Sequence, residues 1–201
     1  MKYFIVSDIH GAYDKLINAL NEAGFNSETD TLVSVGDAFD RGTQNRKVLD
    51  YFLELPHKIL LWGNHDARLY RLIEGFDYLN WCDDSNGTCL TIEELADTEY
   101  ETYTGLNVLR ARQTEYSKKI QEYFKLCRMA IEFPDMYVTH GWLPFTEDDQ
   151  EYHIHLVPDW KHNPRADWYE ALWSHTEHAI RDNAFPDKTL LVGHWHAFRI
   201  A

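Results

Sequence analysis

Three times in its first 75 residues the chain passes from a short apolar run through a polar cluster into a helical pattern. Lys2–Ser7 is the first run. Asp8 and His10 end it, and Tyr13–Ala23 follows with Leu16, Ile17 and Leu20 at helical spacing and Gly24 as a stop. Thr31–Val35 leads into Gly36-Asp37 and then a helix, read as capped by Thr43, that buries Val48, Leu49, Phe52 and Leu53 before Pro56. Lys58–Trp62 leads into Gly63-Asn64-His65-Asp66, with Asp66 read as the cap of a helix reaching Ile73. Short strands alternating with helices point to an α/β fold with a largely parallel stretch of sheet.

The pattern changes after residue 76. Asp77–Gly105 lacks clear periodicity and carries Asp83, Asp84, Glu93, Glu94, Asp97, Glu99 and Glu101 without one Lys or Arg. A helical pattern follows over residues 107–127, with Tyr116, Ile120, Tyr123 and Phe124 on one side. The segment 77–127 reads as a partly helical insert or lid between core strands of one domain spanning 1–201. Strand signals resume at Arg128–Phe133 and Met136–Thr139 around a Pro134-Asp135 turn, so the second half is expected to be antiparallel or mixed. Residues 144–164 read as irregular, Asp167–Asp182 as a helix and Lys188–Val192 as the last strand.

Composition narrows the function. The chain has 33 acidic against 19 basic residues, a net charge of −14. Such a surface repels nucleic-acid phosphates and anionic lipids over a screening length of ~8–10 Å, and neither partner is expected. No apolar run reaches the ~20 residues of a membrane span. Tyr3-Phe4-Ile5-Val6 is too short for a signal-peptide core. Cys82, Cys89 and Cys127 show no paired spacing and are expected to be free thiols in a reducing, cytoplasmic setting. A P-loop, a Gly-x-Ser-x-Gly elbow and a cysteine followed six residues later by arginine are all absent.

The chemistry gathers at strand ends. The five ends read Asp8-Ile9-His10-Gly11, Gly36-Asp37-Ala38-Phe39-Asp40-Arg41-Gly42, Gly63-Asn64-His65-Asp66, His140-Gly141 and Gly193-His194-Trp195-His196. Ligands in open α/β sheets bind outside the carboxyl ends of strands. Oxygen and imidazole donors without thiolates suit Mn²⁺, Fe or Zn²⁺ better than Ca²⁺ or an iron–sulfur cluster. His153 and His155, or His175 and His178, could form other clusters, but alternation in a polar stretch and a helix surface account for them.

As a set these motifs resemble the calcineurin-like metallophosphoesterase superfamily. The spelling Asp-Ile-His-Gly with Gly-Asp-x-x-Asp-Arg-Gly is most similar to its phosphoprotein phosphatase branch, which includes bacterial and phage serine/threonine phosphatases and symmetrical diadenosine tetraphosphatases. The resemblance implies a mixed β-sandwich flanked by helices, whose last sheet either continues in strands after residue 201 or is short. It also implies a two-metal site, most consistent with Mn²⁺ or Fe, with Zn²⁺ an alternative. Asp8, His10 and Asp37 would hold one metal, with His196 completing it. Asp37 would bridge to a second, held also by Asn64, His140 and His194. Asp40 and His65 would form an acid dyad, and Arg41 would bind phosphate. The activity implied is hydrolysis of phosphomonoesters, foremost phosphoserine or phosphothreonine in proteins, by direct attack of a dimetal-bound hydroxide. The alternatives are a dinucleoside polyphosphate or other small phosphate ester, and a non-catalytic binding protein on the same fold. Asp66 stands where the branch usually has Glu, and Trp142 where it usually has Gly.

Overall fold

The computed structural model describes residues 1–97, 105–147, 154–163, 167–174 and 186–194. Two sheets carry the architecture. The first holds β1 (Tyr3–Val6), β2 (Thr31–Ser34), β3 (Lys58–Leu61) and β4 (Cys127–Arg128), all parallel and adjacent in that order. The second holds β5 (Ala130–Glu132), β6 (Met136–Thr139) and β9 (Thr189–Val192), with β5 antiparallel and β9 parallel to β6. A separate hairpin pairs β7 (Phe145–Glu147) with β8 (Ile154–Leu156).

The sandwich follows from strand periodicity. Neighbouring residues of a strand face opposite ways, and here both ways are apolar. Leu32 and Leu60 enter the core beneath the helices, while Val33, Val35, Ile59 and Leu61 meet Ile131, Val138 and Leu191 of the second sheet. β2 is accordingly buried at every residue. The mixed sandwich flanked by helices expected from the sequence is the fold observed.

Helices cover the other face of the first sheet. They are α1 (Tyr13–Glu22), α2 (Asn45–Glu54), α3 (Asn64–Glu74), α4 (Trp81–Ser85), α5 (Thr88–Ala96), α6 (Gly105–Ala111) and α7 (Glu115–Leu126); α8 (Trp168–Trp173) lies against α3. Most of the described residues between 77 and 127 are thus helical. Ile92, Leu95, Ile120, Tyr123 and Phe124 belong to the same core as Leu32, Phe39 and Phe52. The Phe39 and Tyr123 rings meet edge-on with centroids 5.1 Å apart, and Trp62 stacks on Phe124 at 4.8 Å.

Several local readings differ from the structure for identifiable reasons. The pattern at 107–127 is two helices. Thr114 is extended at the restart, and its hydroxyl donates to the carbonyls of Ala111 and Leu95. The strand read at 128–133 is split between the sheets, β4 pairing with β3 and β5 with β6. Thr43 does not cap α2. The Glu94 carboxylate of α5 does so from outside, accepting from the backbone of Asn45 at 2.9 Å and of Arg46 at 3.0 Å. Asp66 lies inside α3, three residues past the extended cap residue, Gly63. Residues 145–147 and 154–156 form a hairpin where an irregular stretch was expected, and α8 is described as far as Trp173, residues 175–182 lying outside the described ones. The three cysteines are free, as expected. Among the described residues no helix is long and apolar enough to cross a membrane.

Candidate active site

The loops after β1 and β2 stay hydrogen-bonded beyond the strands themselves. The backbone N–H groups of Asp8, His10 and Gly11 donate to the carbonyls of Gly36, Asp37 and Ala38. Eight non-glycine residues among those described have positive φ, and six are Asp8, His10, Asp37, Asp40, Arg41 and His194. A left-handed backbone at such residues costs on the order of 1–3 kcal/mol each and persists only where the surroundings impose it. Gly63 shows how close the loops come. A Cβ there would fall on the backbone nitrogen and Oδ1 of Asp37.

These loops converge on Asp37. Its carboxylate Oδ2 lies 3.7 Å from His10 Nε2 and 3.3 Å from His140 Nε2. Asp8 Oδ1 is 4.0 Å from the same His10 nitrogen, and Asp8 Oδ2 accepts from Ser7 Oγ and, at 3.0 Å, from the backbone of His194. Donor atoms of Asp37, His140 and His194 lie within 4.8 Å of one another, as do those of His10, Asp37 and His65. Asn64 joins through Oδ1, 2.9 Å from His140 Nε2. The structure therefore brings together Asp8, His10, Asp37, Asn64, His140 and His194; His196 lies outside the described residues, as do His153, His175 and His178.

The hydrogen bonds fit a cation centre. His10 Nδ1 and His140 Nδ1 each donate to a backbone carbonyl, Phe39 at 2.9 Å and Val35 at 2.7 Å, which turns each Nε2 lone pair inward. His10 Nε2 is buried and has no hydrogen-bond partner. His140 Nε2 faces two acceptors, Asn64 Oδ1 and Asp37 Oδ2. A second proton or a metal ion at that nitrogen would satisfy both acceptors. Burial opposes the imidazolium of His140, but the charge and hydrogen bond of Asp37 prevail and push it up to about 9. Burial likewise favours a protonated Asp37, yet His140, then His65 and His10, hold it below the usual carboxylate range. At His10 burial dominates and lowers the ring.

The expected dyad lies beside this centre. His65 Nδ1 donates to Asp40 Oδ2 at 2.9 Å, and Arg41 Nη2 stands 3.2 Å from His65 Nε2. His65 differs from His10 and His140 in that its Nδ1 donates to a carboxylate rather than to a backbone carbonyl, and its ring lies 4.9 Å from that of His10. Burial disfavours the charged ring, but the Asp40 hydrogen bond and the charges of Asp37 and Asp40 raise it above the usual histidine value.

The two residues that depart from the family spelling have structural tasks. Asp66 accepts three backbone N–H groups, from Asp37 at 2.9 Å, Gly63 at 3.0 Å and Ala38 at 3.1 Å, and so ties the β2 loop to the β3 loop. An acid three residues after a helix's first cap is a legible signal for one of these bonds; the two across the loops are not. Burial beside the Asp37 carboxylate pushes Asp66 up to about 7. Trp142 is buried against Tyr137 and Leu143, so it packs in the core. Arg165, Arg181 and Trp195 lie outside the described residues.

With this constellation at five strand ends, comparison with known proteins is decisive for the family. The family model for calcineurin-like phosphoesterases matches residues 1–198. The chain belongs to that family. The resemblance drawn from the motifs is thus the one found. The symmetrical bis(5′-nucleosyl)-tetraphosphatase of Salmonella arizonae is 40% identical over 76 residues, 37% of this chain and 27% of that protein. Its counterpart in Salmonella typhimurium is 38% identical over 76 residues, with the same shares. These matches span about a quarter of the relatives' length. A crystal structure assigned provisionally as a diadenosine tetraphosphatase superposes on 98% of this chain and 76% of its own, with a TM-score of 0.50 and 18% identity, a likeness of fold.

Proposed function

We propose that this protein is a metal-dependent phosphoesterase acting on small phosphate compounds of the dinucleoside polyphosphate type. The observation that carries the chemistry is the inward set of His10 Nε2, His140 Nε2 and Asp37 Oδ2, with the His65–Asp40 pair beside it. Asp8, His10 and Asp37 would hold one cation, and Asp37, Asn64, His140 and His194 a second. Cations there would supply activated water and withdraw charge from phosphoryl oxygens.

The protein groups have separate tasks. Arg41 offers a planar fork for two phosphate oxygens. Its Nη2 stands 3.2 Å from His65 Nε2. Turning toward phosphate, it would free that nitrogen to carry a proton to the departing oxygen, while Asp40 holds Nδ1–H. The identity to symmetrical tetraphosphatases favours a dinucleoside polyphosphate. A second reading, a phosphoserine or phosphothreonine protein, is favoured by the charge of −14. That field repels a polyanion and suits a peptide with basic flanks.

Comparing turnover of diadenosine tetraphosphate with that of a basic-flanked phosphopeptide decides between the substrates. His65→Asn tests the mechanism. Nitrophenolate leaves readily as an anion, whereas a serine alkoxide needs a proton. The variant is expected to lose roughly 10²–10⁴-fold on a phosphoserine substrate and far less on nitrophenyl phosphate. Equal losses on both, or loss of metal, would assign His65 a different role.

A further inference from the structure

Asp40 is fully buried, and its surroundings come from an element that bears no motif. The hydroxyl of Thr88 donates to Asp40 Oδ2 at 2.6 Å, and that of Thr91 donates to Oδ1 at 2.8 Å. Thr91 Oγ1 also accepts the backbone N–H of Asp40 at 3.1 Å, which Asn45 Oδ1 shares at 3.1 Å. Both threonines are buried and lie on α5, one turn apart. The same helix seats the rest of the loop. A Cβ on Gly87, its first cap, would fall on the backbone of Arg41, and Glu94 binds the start of α2.

We propose that Thr88 and Thr91 are positioning residues for proton delivery, fixing the Asp40 carboxylate so that Oδ2 holds His65 Nδ1. This rests on the reading of His65 given above. A carboxylate can rotate about its last bond, and a buried one is driven to find donors wherever they lie. Here Oδ1 is taken by Thr91 and Oδ2 by Thr88 and His65, so rotation would break three bonds. The backbone of Asp40 has φ of 74°, a left-handed conformation that Thr91 and Asn45 pin through its N–H. Without the hydroxyls the carboxylate is free to turn, and the His65 ring loses its orientation. The dyad would then depend on three chain segments: the β2 loop for Asp40, α3 for His65, and α5 for the two hydroxyls.

The test uses Thr88→Val, Thr91→Val, their double variant, Thr88→Ser and Thr91→Ser, with His65→Asn alongside. Valine keeps the shape and removes the donor; serine keeps the donor. Turnover is measured on a phosphoserine peptide and on nitrophenyl phosphate, with metal content recorded for each. The double valine variant is expected to lose about 10–100-fold on the phosphoserine peptide and little on nitrophenyl phosphate, at normal metal content, within the range of general acid–base effects. Each serine variant should stay near the parent. Equal losses on both substrates, or serine variants as impaired as valine ones, would reduce the threonines to fold residues and overturn the proposal. If His65→Asn shows no split between substrates, the acid role itself falls and the proposal with it. A split in His65→Asn without one in the valine variants overturns the threonine assignment alone. Should the double variant not fold, the single valine variants carry the same comparison. The low-field proton resonance of His65 Nδ1–H gives a second reading, expected to shift in the valine variants and not in the serine ones.

Discussion

The Asp40–His65 pair is held from two sides built in opposite ways. On one side are the loops after β1, β2 and β3 and the residue His194 after β9, where backbone is left-handed at Asp8, His10, Asp37, Asp40, Arg41 and His194. On the other is α5, a helix whose two hydroxyls reach Asp40 of the β2 loop and whose Glu94 carboxylate reaches the start of α2. The strained side presents the proposed ligand atoms, which converge from separate strands on tight turns. The regular side presents none. It holds the strained side in place by hydrogen bonds from a well-packed element, with Ile92 and Leu95 buried beneath it. Strain at a site thus persists where an unstrained neighbour over-determines it.

The largest effect that could break this contrast lies at its centre. Asp37 faces both His10 and His140, so Asp37→Asn should empty the centre of metal and lower turnover by well over the ~10–100-fold typical of residues that touch only a ligand. Elemental analysis of the purified variant checks the first part and steady-state kinetics the second. Two tightly bound metals with ordinary turnover would show that the converging side chains are not the metal site.

A smaller effect is expected one layer out. Asp66 braces the strained side as Thr88 and Thr91 brace the dyad. Asparagine in its place keeps one acceptor oxygen but points an amide toward a backbone N–H of Asp37, Ala38 or Gly63. Asp66→Asn should therefore weaken metal affinity by roughly 10–100-fold, read by metal titration, and lower turnover of alkyl and aryl substrates alike. The threonine variants should show the reverse, normal metal affinity with a loss confined to the alkyl substrate. If Asp66→Asn instead separated the two substrates, the division of labour between the two sides would be wrong.

The contrast also explains what the sequence could and could not disclose. The convergence of the strained side was readable because the proposed chemistry needs particular residue types at particular places. Asp8-x-His10, Gly36-Asp37 and Gly63-Asn64-His65 sit directly after runs such as Leu32–Val35, whose burial on both faces marks a parallel strand. α5 was not readable, for a physical reason. Thr88, Cys89, Thr91, Ile92, Glu93, Leu95 and Ala96 are all buried, so the helix has no polar stripe and shows no amphipathic period. Its hydroxyls meet Asp40 across 48 and 51 residues, a separation at which no local pattern exists. The division of 128–133 between two sheets was hidden likewise, since a strand's apolar residues do not say which neighbour they pair with.

The smallest effect is expected away from both sides, and it sets the floor against which the others are judged. Glu132 ends β5 and accepts from Lys161 and Lys188, each at 2.6 Å, joining β5 to the approach to β9 and to the stretch after β8. These two ammonium groups hold its carboxyl down at about 2, against an ordinary 4.5. A lowered folded-state value means that the stabilisation is fully present above pH 4.5 and is lost as pH falls toward 2. The pair is solvent-exposed and screened by salt, so the contribution is small. Glu132→Gln should leave metal content and turnover at neutral pH unchanged. It should lower the thermal midpoint slightly and by a constant amount from pH 7 to pH 5, and the gap to the parent should close as the pH is taken toward 2. A gap that persists unchanged at pH 2 would mean that packing of the Glu132 stem, rather than its charge, holds this edge. A fall in turnover would mean that the second sheet's outer edge bears on the site, and that the two-sided account of its support is incomplete.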